Sequence, residues 1–141
     1  MAAVPILKVT AVTCGVLGLL HMTFIMMIVH IRRSEKILVG SGANKALEFM
    51  MRGHANFHEN VPLALIMLLV AELSSFAPTV ILAATSLCFV VGRCLHAYSF
   101  LTSLSMATHL QFRFPGMVMT LLATVALLAI VLMGGLRVLL N

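Results

Sequence analysis

The chain has 141 residues, of which 62% are hydrophobic and 9% charged, and its mean hydropathy is +1.14. Those values exclude a soluble domain, and four helices of about 20 residues each leave no room for an extramembrane catalytic domain. Nine Lys/Arg against four acidic residues give a net charge of +5; in so apolar a chain the excess reads as membrane topology, and no nucleic-acid partner is expected.

The first predicted span covers about residues 6–31, with Gly15 and Gly18 as small-residue packing positions. His21 lies deep in it and reads as a hydrogen-bonded structural histidine, whereas His30, beside Arg32 and Arg33, reads as interfacial. The segment does not read as a cleavable signal, because the apolar stretch is too long and lacks a charged start. A polar loop follows, and its G-S-G-A-N segment (Gly40 to Asn44) marks a turn. The second span, about 46–73, contains Pro62, where a kink is expected because proline removes a backbone donor. S-S-F-A-P then makes a short uncharged turn into a third span over about 79–101. The loop Thr102 to Phe112 leads to Pro115-Gly116, read as the start of a fourth span over about 116–140. The result is one all-α, four-span integral membrane domain.

Arg32, Arg33, Lys36, Lys45 and Arg52 follow the first span and Arg113 precedes the fourth, while the connection near Ser74 to Pro78 has no basic residue. Positive charge favours the cytoplasmic side, so the first and third loops are expected there and both termini outside. Cys14, Cys88 and Cys94 fall inside apolar spans at spacings that fit neither a zinc pattern nor a disulfide framework, and they read as small buried hydrophobes.

The most informative stretch is R-G-H-A-N-F-H-E-N-V-P, Arg52 to Pro62. Arg52, Asn56 and Glu59 stand at i, i+4 and i+7 and share one helix face. Charges within a bilayer persist mainly where they are paired or used. Under the expected topology this patch lies at the same membrane end as Arg93 and His96 of the third span, and Arg113 begins the fourth span there. Three helices thus send polar groups to one leaflet. Guanidinium groups hold carboxylates in a fork, and a carboxylate such as Glu59 accepts from an ammonium. Glutathione, with two carboxylates, an ammonium and a thiol, fits that inventory. An ion pair between Arg52 and Glu59 that only fixes helix packing is the plain alternative. His54 and His58 have the i, i+4 spacing of a ligand pair, but the other histidines are scattered along the sequence and no metal site is expected.

The same residues resemble the MAPEG family, membrane-associated proteins in eicosanoid and glutathione metabolism. R-G-H-A-N-F-H-E-N-V-P-L is similar to its signature; H-I-R-R, G-R-C-L-H and F-R-F-P-G agree in order along the chain, and V-G-S-G-A-N is similar to the bacterial branch. The resemblance implies a homotrimer of four-helix subunits that binds glutathione between neighbours, like the microsomal glutathione transferases. It implies that Arg52, Asn56 and Glu59 hold the tripeptide, that His54 occupies a motif position of varying role, and that Arg93 and His96 line the pocket. Arg32 or Arg33 corresponds to a pocket-edge arginine, and Arg113 to the arginine that stabilises the thiolate. Phe100 and Met117 stand where tyrosines are usual, and Tyr98 is two residues too early to replace the first. Eicosanoid synthesis is therefore not expected.

The expected activity is glutathione transfer or peroxide reduction on lipophilic substrates that arrive through membrane lipid. A non-catalytic membrane binding or scaffold protein of the same fold is the alternative. A small four-helix exporter is disfavoured because the first span lacks an acidic residue. The expected location is the inner membrane of a bacterium or the endoplasmic reticulum of a eukaryote.

Overall fold

The computed structural model describes residues 7–102 and 106–140. Residues 1–6, where the first predicted span begins, and residues 103–105 of the third loop lie outside them. The described chain forms four helices: α1 (Lys8–Ser34), α2 (Lys45–Leu73), α3 (Thr79–Leu101) and α4 (Met106–Leu140). It is an all-α integral membrane bundle. Helices α1 and α3, and residues 109–140 of α4, are long and apolar enough to cross a bilayer.

Helix α2 carries the polar patch, and its depth follows from a contact at its far end. The Glu72 carboxylate accepts the backbone N–H groups of Val9 (2.9 Å) and Thr10 (2.8 Å). The C-terminal end of α2 therefore touches the N-terminal end of α1, and the two run antiparallel through the same depth. The α1 N-terminus has no side-chain cap of its own at Leu7. Glu72 supplies one from another helix and places negative charge at the positive end of the α1 dipole.

Helix boundaries follow local chemistry. Asn44 caps α2 by accepting from the Leu47 N–H at 2.9 Å. Before it, the backbone turns through left-handed positions at Gly40 (φ +67°), Gly42 (φ +55°) and Ala43 (φ 65°), which glycine adopts without steric cost. At the other end Ser75 takes φ 52°, while the Phe76 and Ser75 N–H groups bond to Ala71 and Glu72 carbonyls at 3.0 and 3.3 Å. This is a Schellman termination with serine in the position glycine usually fills. It throws the Phe76 ring onto α4, where the ring occupies the space a side chain at Gly134 would need.

Leu17, Phe24, Phe57, Ala64, Leu68, Phe89, Phe100, Ala123 and Leu127 form the buried core. A hydrogen bond between the Thr13 and Ser86 hydroxyls adds a polar link from α1 to α3. The most extensive helix pair is α3 with α4, and glycine explains it. A Cβ on Gly116 would come within 2.6 Å of the His96 nitrogen and 2.7 Å of the Gly92 carbonyl oxygen. A Cβ on Gly92 would meet the Thr120 nitrogen at 2.9 Å. The two backbones are in contact there, as small residues allow in membranes.

Several expectations need correction. A Cβ on Gly15 or Gly18 would meet nothing within 4 Å, so these glycines do not serve packing within the subunit. Cys14 and Cys94 are exposed and so are not core residues, whereas Cys88 is half-buried against the core, with its sulfur 3.7 Å from the Met119 carbonyl of α4. Helix α4 begins at Met106, ahead of the predicted start, and passes through Pro115. Proline forfeits one backbone bond, but the preceding turns are fixed to α3 by contacts described below. Pro62 lies inside α2, where the sequence places it.

The Gly92–Gly116 contact gives a direct test. Gly116→Ala should lower stability by about 1–3 kcal/mol through forced separation of α3 and α4, read as a drop in the thermal midpoint of the helical signal in mild detergent. Gly15→Ala should stay within about 0.5 kcal/mol of the parent; equal shifts would refute the close approach. Glu72→Ala should cost about 1–2 kcal/mol by uncapping α1, measurable on the same instrument.

Candidate functional site

Asn56 and Arg93 meet between α2 and α3. Arg93 is only 1% exposed; its Nη1 donates to Asn56 Oδ1 at 3.0 Å, and its guanidinium lies 5.6 Å from the centre of the Phe57 ring. Because arginine only donates, this bond fixes the Asn56 amide with its oxygen inward and leaves its NH2 as a free donor. The Asn60 side chain donates to the Asn56 backbone carbonyl at 2.8 Å. Arg93 Nε and Nη2 are buried with no acceptor among the described residues. One hydrogen bond to a charged donor contributes about 1.5–3 kcal/mol and a cation–π contact about 0.5–2 kcal/mol. The hydration lost by a buried ion is worth several kcal/mol, so this junction has capacity for a further acceptor.

Arg52 and Glu59 flank Asn56 on the same stripe and are both exposed. Their side chains look out of the subunit, on either side of the Arg93–Asn56 junction. Arg52 also borders an open cleft of about 820 Å³ with Lys45, Glu48, Phe49 and the Gly40–Ser41 turn. The two arginines at the end of α1 separate. Arg32 is half-buried and donates to the Leu38 carbonyl at 3.3 Å and to the Met51 sulfur at 3.5 Å, next to Arg52 in sequence, while Arg33 is exposed.

A second group lies between α3 and α4. The Nδ1–H of His109, which is 2% exposed, donates to the Ser99 carbonyl at 2.9 Å. That tautomer leaves a lone pair on Nε2, to which Arg113 Nη1 donates at 3.4 Å. The Arg113 guanidinium is 5.3 Å from the centre of the Phe100 ring, and the His109 ring is 5.1 Å from the same ring. Phe100 is thus the hub: it also contacts His96 at 5.2 Å and Phe49 at 4.8 Å. It fills the space against Gly53, where a Cβ would fall 2.6 Å from the ring. The sequence pattern places His109 in a predicted loop that runs to Phe112, where it forms no motif. Once α4 starts at Met106, His109 and Arg113 become an i, i+4 pair on one face.

The motif histidines turn inward within the subunit. His96 is 2% exposed and packs on Phe100, its backbone lies against Gly116, and neither ring nitrogen has a hydrogen-bond partner among the described residues. His54 turns from Arg93 toward α1, where it stacks on His21 with ring centres 5.2 Å apart. The histidines are therefore not all scattered. Met117 is exposed on the outer face of α4.

Asn56, Arg93, His109 and Arg113 therefore occupy one end of the bundle, the end of the first and third loops, with Arg52 and Glu59 on its surface. No curated protein sequence matches the chain. The model of the MAPEG family matches residues 10–133, a segment that includes all of these groups. A match over nearly the whole chain, to a bundle whose polar residues gather at one membrane end, places this membrane protein in the MAPEG family.

Proposed function

We propose that this protein binds glutathione and uses its thiolate against lipophilic electrophiles or lipid hydroperoxides, as a homotrimer with sites between subunits. The observation that supports this reading best is the Arg93–Asn56 junction, with unused guanidinium N–H groups inside and Arg52 and Glu59 outside. The donor set fits the ligand: guanidinium forks for carboxylates, an amide donor for a carbonyl, and one carboxylate for an ammonium. Arg52 and Glu59 face away from the subunit's own core, so a ligand on that stripe would be enclosed only by a neighbouring chain.

Glutathione supplies the sulfur nucleophile. Arg52 and Glu59 bind its charged ends; Asn56, held by Arg93, orients its peptide; Arg32 edges the same face. Arg113 places a positive charge over the apolar Phe100 ring, where a thiolate would be favoured over a thiol. His109 acts as a positioning residue, because its bond to the Ser99 carbonyl presents the lone pair that holds Arg113. In transfer, sulfur forms a bond to the electrophilic carbon as the leaving group departs. In peroxide reduction, two glutathione molecules give two electrons, yielding a disulfide, an alcohol and water. The positive-inside bias puts this end of the bundle in the cytoplasm.

A non-catalytic reading draws on one feature. Arg113 already has two neighbours, His109 and Phe100, and would in that case be an anchor for α4. Ultraviolet difference absorbance on adding glutathione separates the two. Thiolate should form at neutral pH in the parent protein. In Arg113→Ala the apparent thiol pKa should rise by about one to three units, so that the signal returns only in alkaline buffer. Arg113→Lys should recover part of it. An unmoved pH profile in Arg113→Ala would favour the anchor.

Isothermal titration tests binding itself. Glu59→Gln keeps volume and hydrogen bonding but loses the charge that meets an ammonium, and should weaken glutathione binding by about tenfold, or about 1.4 kcal/mol. Unchanged affinity would leave Glu59 as a surface group only. Native mass measurement in mild detergent should give three chains; a monomer that still binds glutathione would remove the site from the subunit interface.

A further inference from the structure

A second polar cluster lies near the middle of α1 and α2, apart from the Arg93–Asn56 junction. His21 of α1 meets His54 and His58 of α2, and one nitrogen from each ring lies within 4.8 Å of the other two. The ring centres of His54 and His58 are 4.4 Å apart and those of His21 and His58 4.8 Å, both edge-on. Phe24 and Phe57 pack around them. We propose that His21, His54 and His58 bind one late first-row transition-metal ion of the imidazole-preferring class, of which zinc(II) is the representative.

Hydrogen bonding at the cluster supports a ligand more than simple ring packing. His58 Nδ1 is 3.0 Å from the His54 carbonyl, so this nitrogen carries the proton and Nε2 keeps its lone pair. A metal-binding histidine uses the same arrangement, with one nitrogen donating to a carbonyl and the other turned to the ion. His54 Nε2 and His21 Nδ1 are buried and have no hydrogen-bond partner among the described residues. Leaving a buried polar group unsatisfied costs about 1–3 kcal/mol. Phenylalanine at those positions would supply the same ring contacts without that cost. Ionisable groups in mid-membrane persist chiefly where they are used.

The donor set selects the ion. Three imidazoles with no carboxylate in the group disfavour calcium and magnesium, which take oxygen ligands, and favour zinc, copper, nickel or cobalt. In a tetrahedral zinc site the ligand nitrogens stand about 3.4 Å apart. The rings must therefore close in by about 1.4 Å at most, a rotamer adjustment available to His58, which is exposed. Three protein ligands leave a fourth position open. It would face the small cavity of about 210 Å³ bordered by Cys14, Gly18, His21, His58 and Leu65, which gives the ion a route in. Such an ion would clasp α1 to α2 at mid-depth.

Cobalt(II) is the probe, because its visible absorption reports low-coordinate nitrogen ligation. The full chain, carrying no polyhistidine tag, is solubilised in mild detergent, stripped with a chelator and titrated without glutathione. The test is thereby independent of the glutathione reading. A saturable band at one cobalt per chain, bleached by zinc, is expected. His58→Gln and His21→Gln should each weaken cobalt binding by roughly tenfold or more, and His30→Gln should leave it unchanged. Absence of a saturable band overturns the proposal, and so does parent-like cobalt affinity in folded His58→Gln. His58 is exposed, so that variant remains decisive even if His21→Gln does not fold.

Discussion

The site end of this bundle depends on how a guanidinium is kept inside it. Arg93 is buried at the α2–α3 junction, and its only side-chain hydrogen bond among the described residues goes to Asn56. That bond holds the half-buried Asn56 against α3, while Arg52 and Glu59, one turn to either side along α2, are exposed. The Phe57 ring, one residue on, then lies beside the cation. Asn56 is neutral and does not balance the charge, and Arg93 Nε and Nη2 have no acceptor among the described residues.

The α3–α4 contact sets the other half. Gly92 and Gly116 let the two backbones touch, and that approach brings His109 within reach of the Ser99 carbonyl. Without it, Arg113 would have no lone pair to hold it over Phe100. Phe100 has no hydroxyl to donate, and it meets the Arg113 cation with its ring face instead.

Phe57 joins this site to the histidine cluster. It touches Arg93 on one hand and His21 on the other, so the two polar groups of α2 share an aromatic neighbour while facing different helices. His54 belongs to the second group by its contacts, although the motif that carries it is the one that supplies Asn56 and Glu59.

Local pattern alone determined much of this. Apolar composition demanded membrane helices, and the 3.6-residue repeat put Arg52, Asn56 and Glu59 on one face. Alternating chain direction brought the second, third and fourth helices together at one end. Those inferences need only distances along a single helix and the count of crossings. Which residue meets which across helices was not legible, because it depends on rotation and axial shift, set by the fit of whole faces. Gly15 and Gly18 looked like packing residues, yet Gly92 and Gly116 carry the close contact. The sequence pattern assigned residues up to Phe112 to a loop, but tertiary anchoring of His109 on Ser99 accompanies helix through Pro115. His21 stands 33 positions before His54 and forms no motif with it; only the antiparallel α1–α2 register, pinned at its far end by Glu72, sets them side by side.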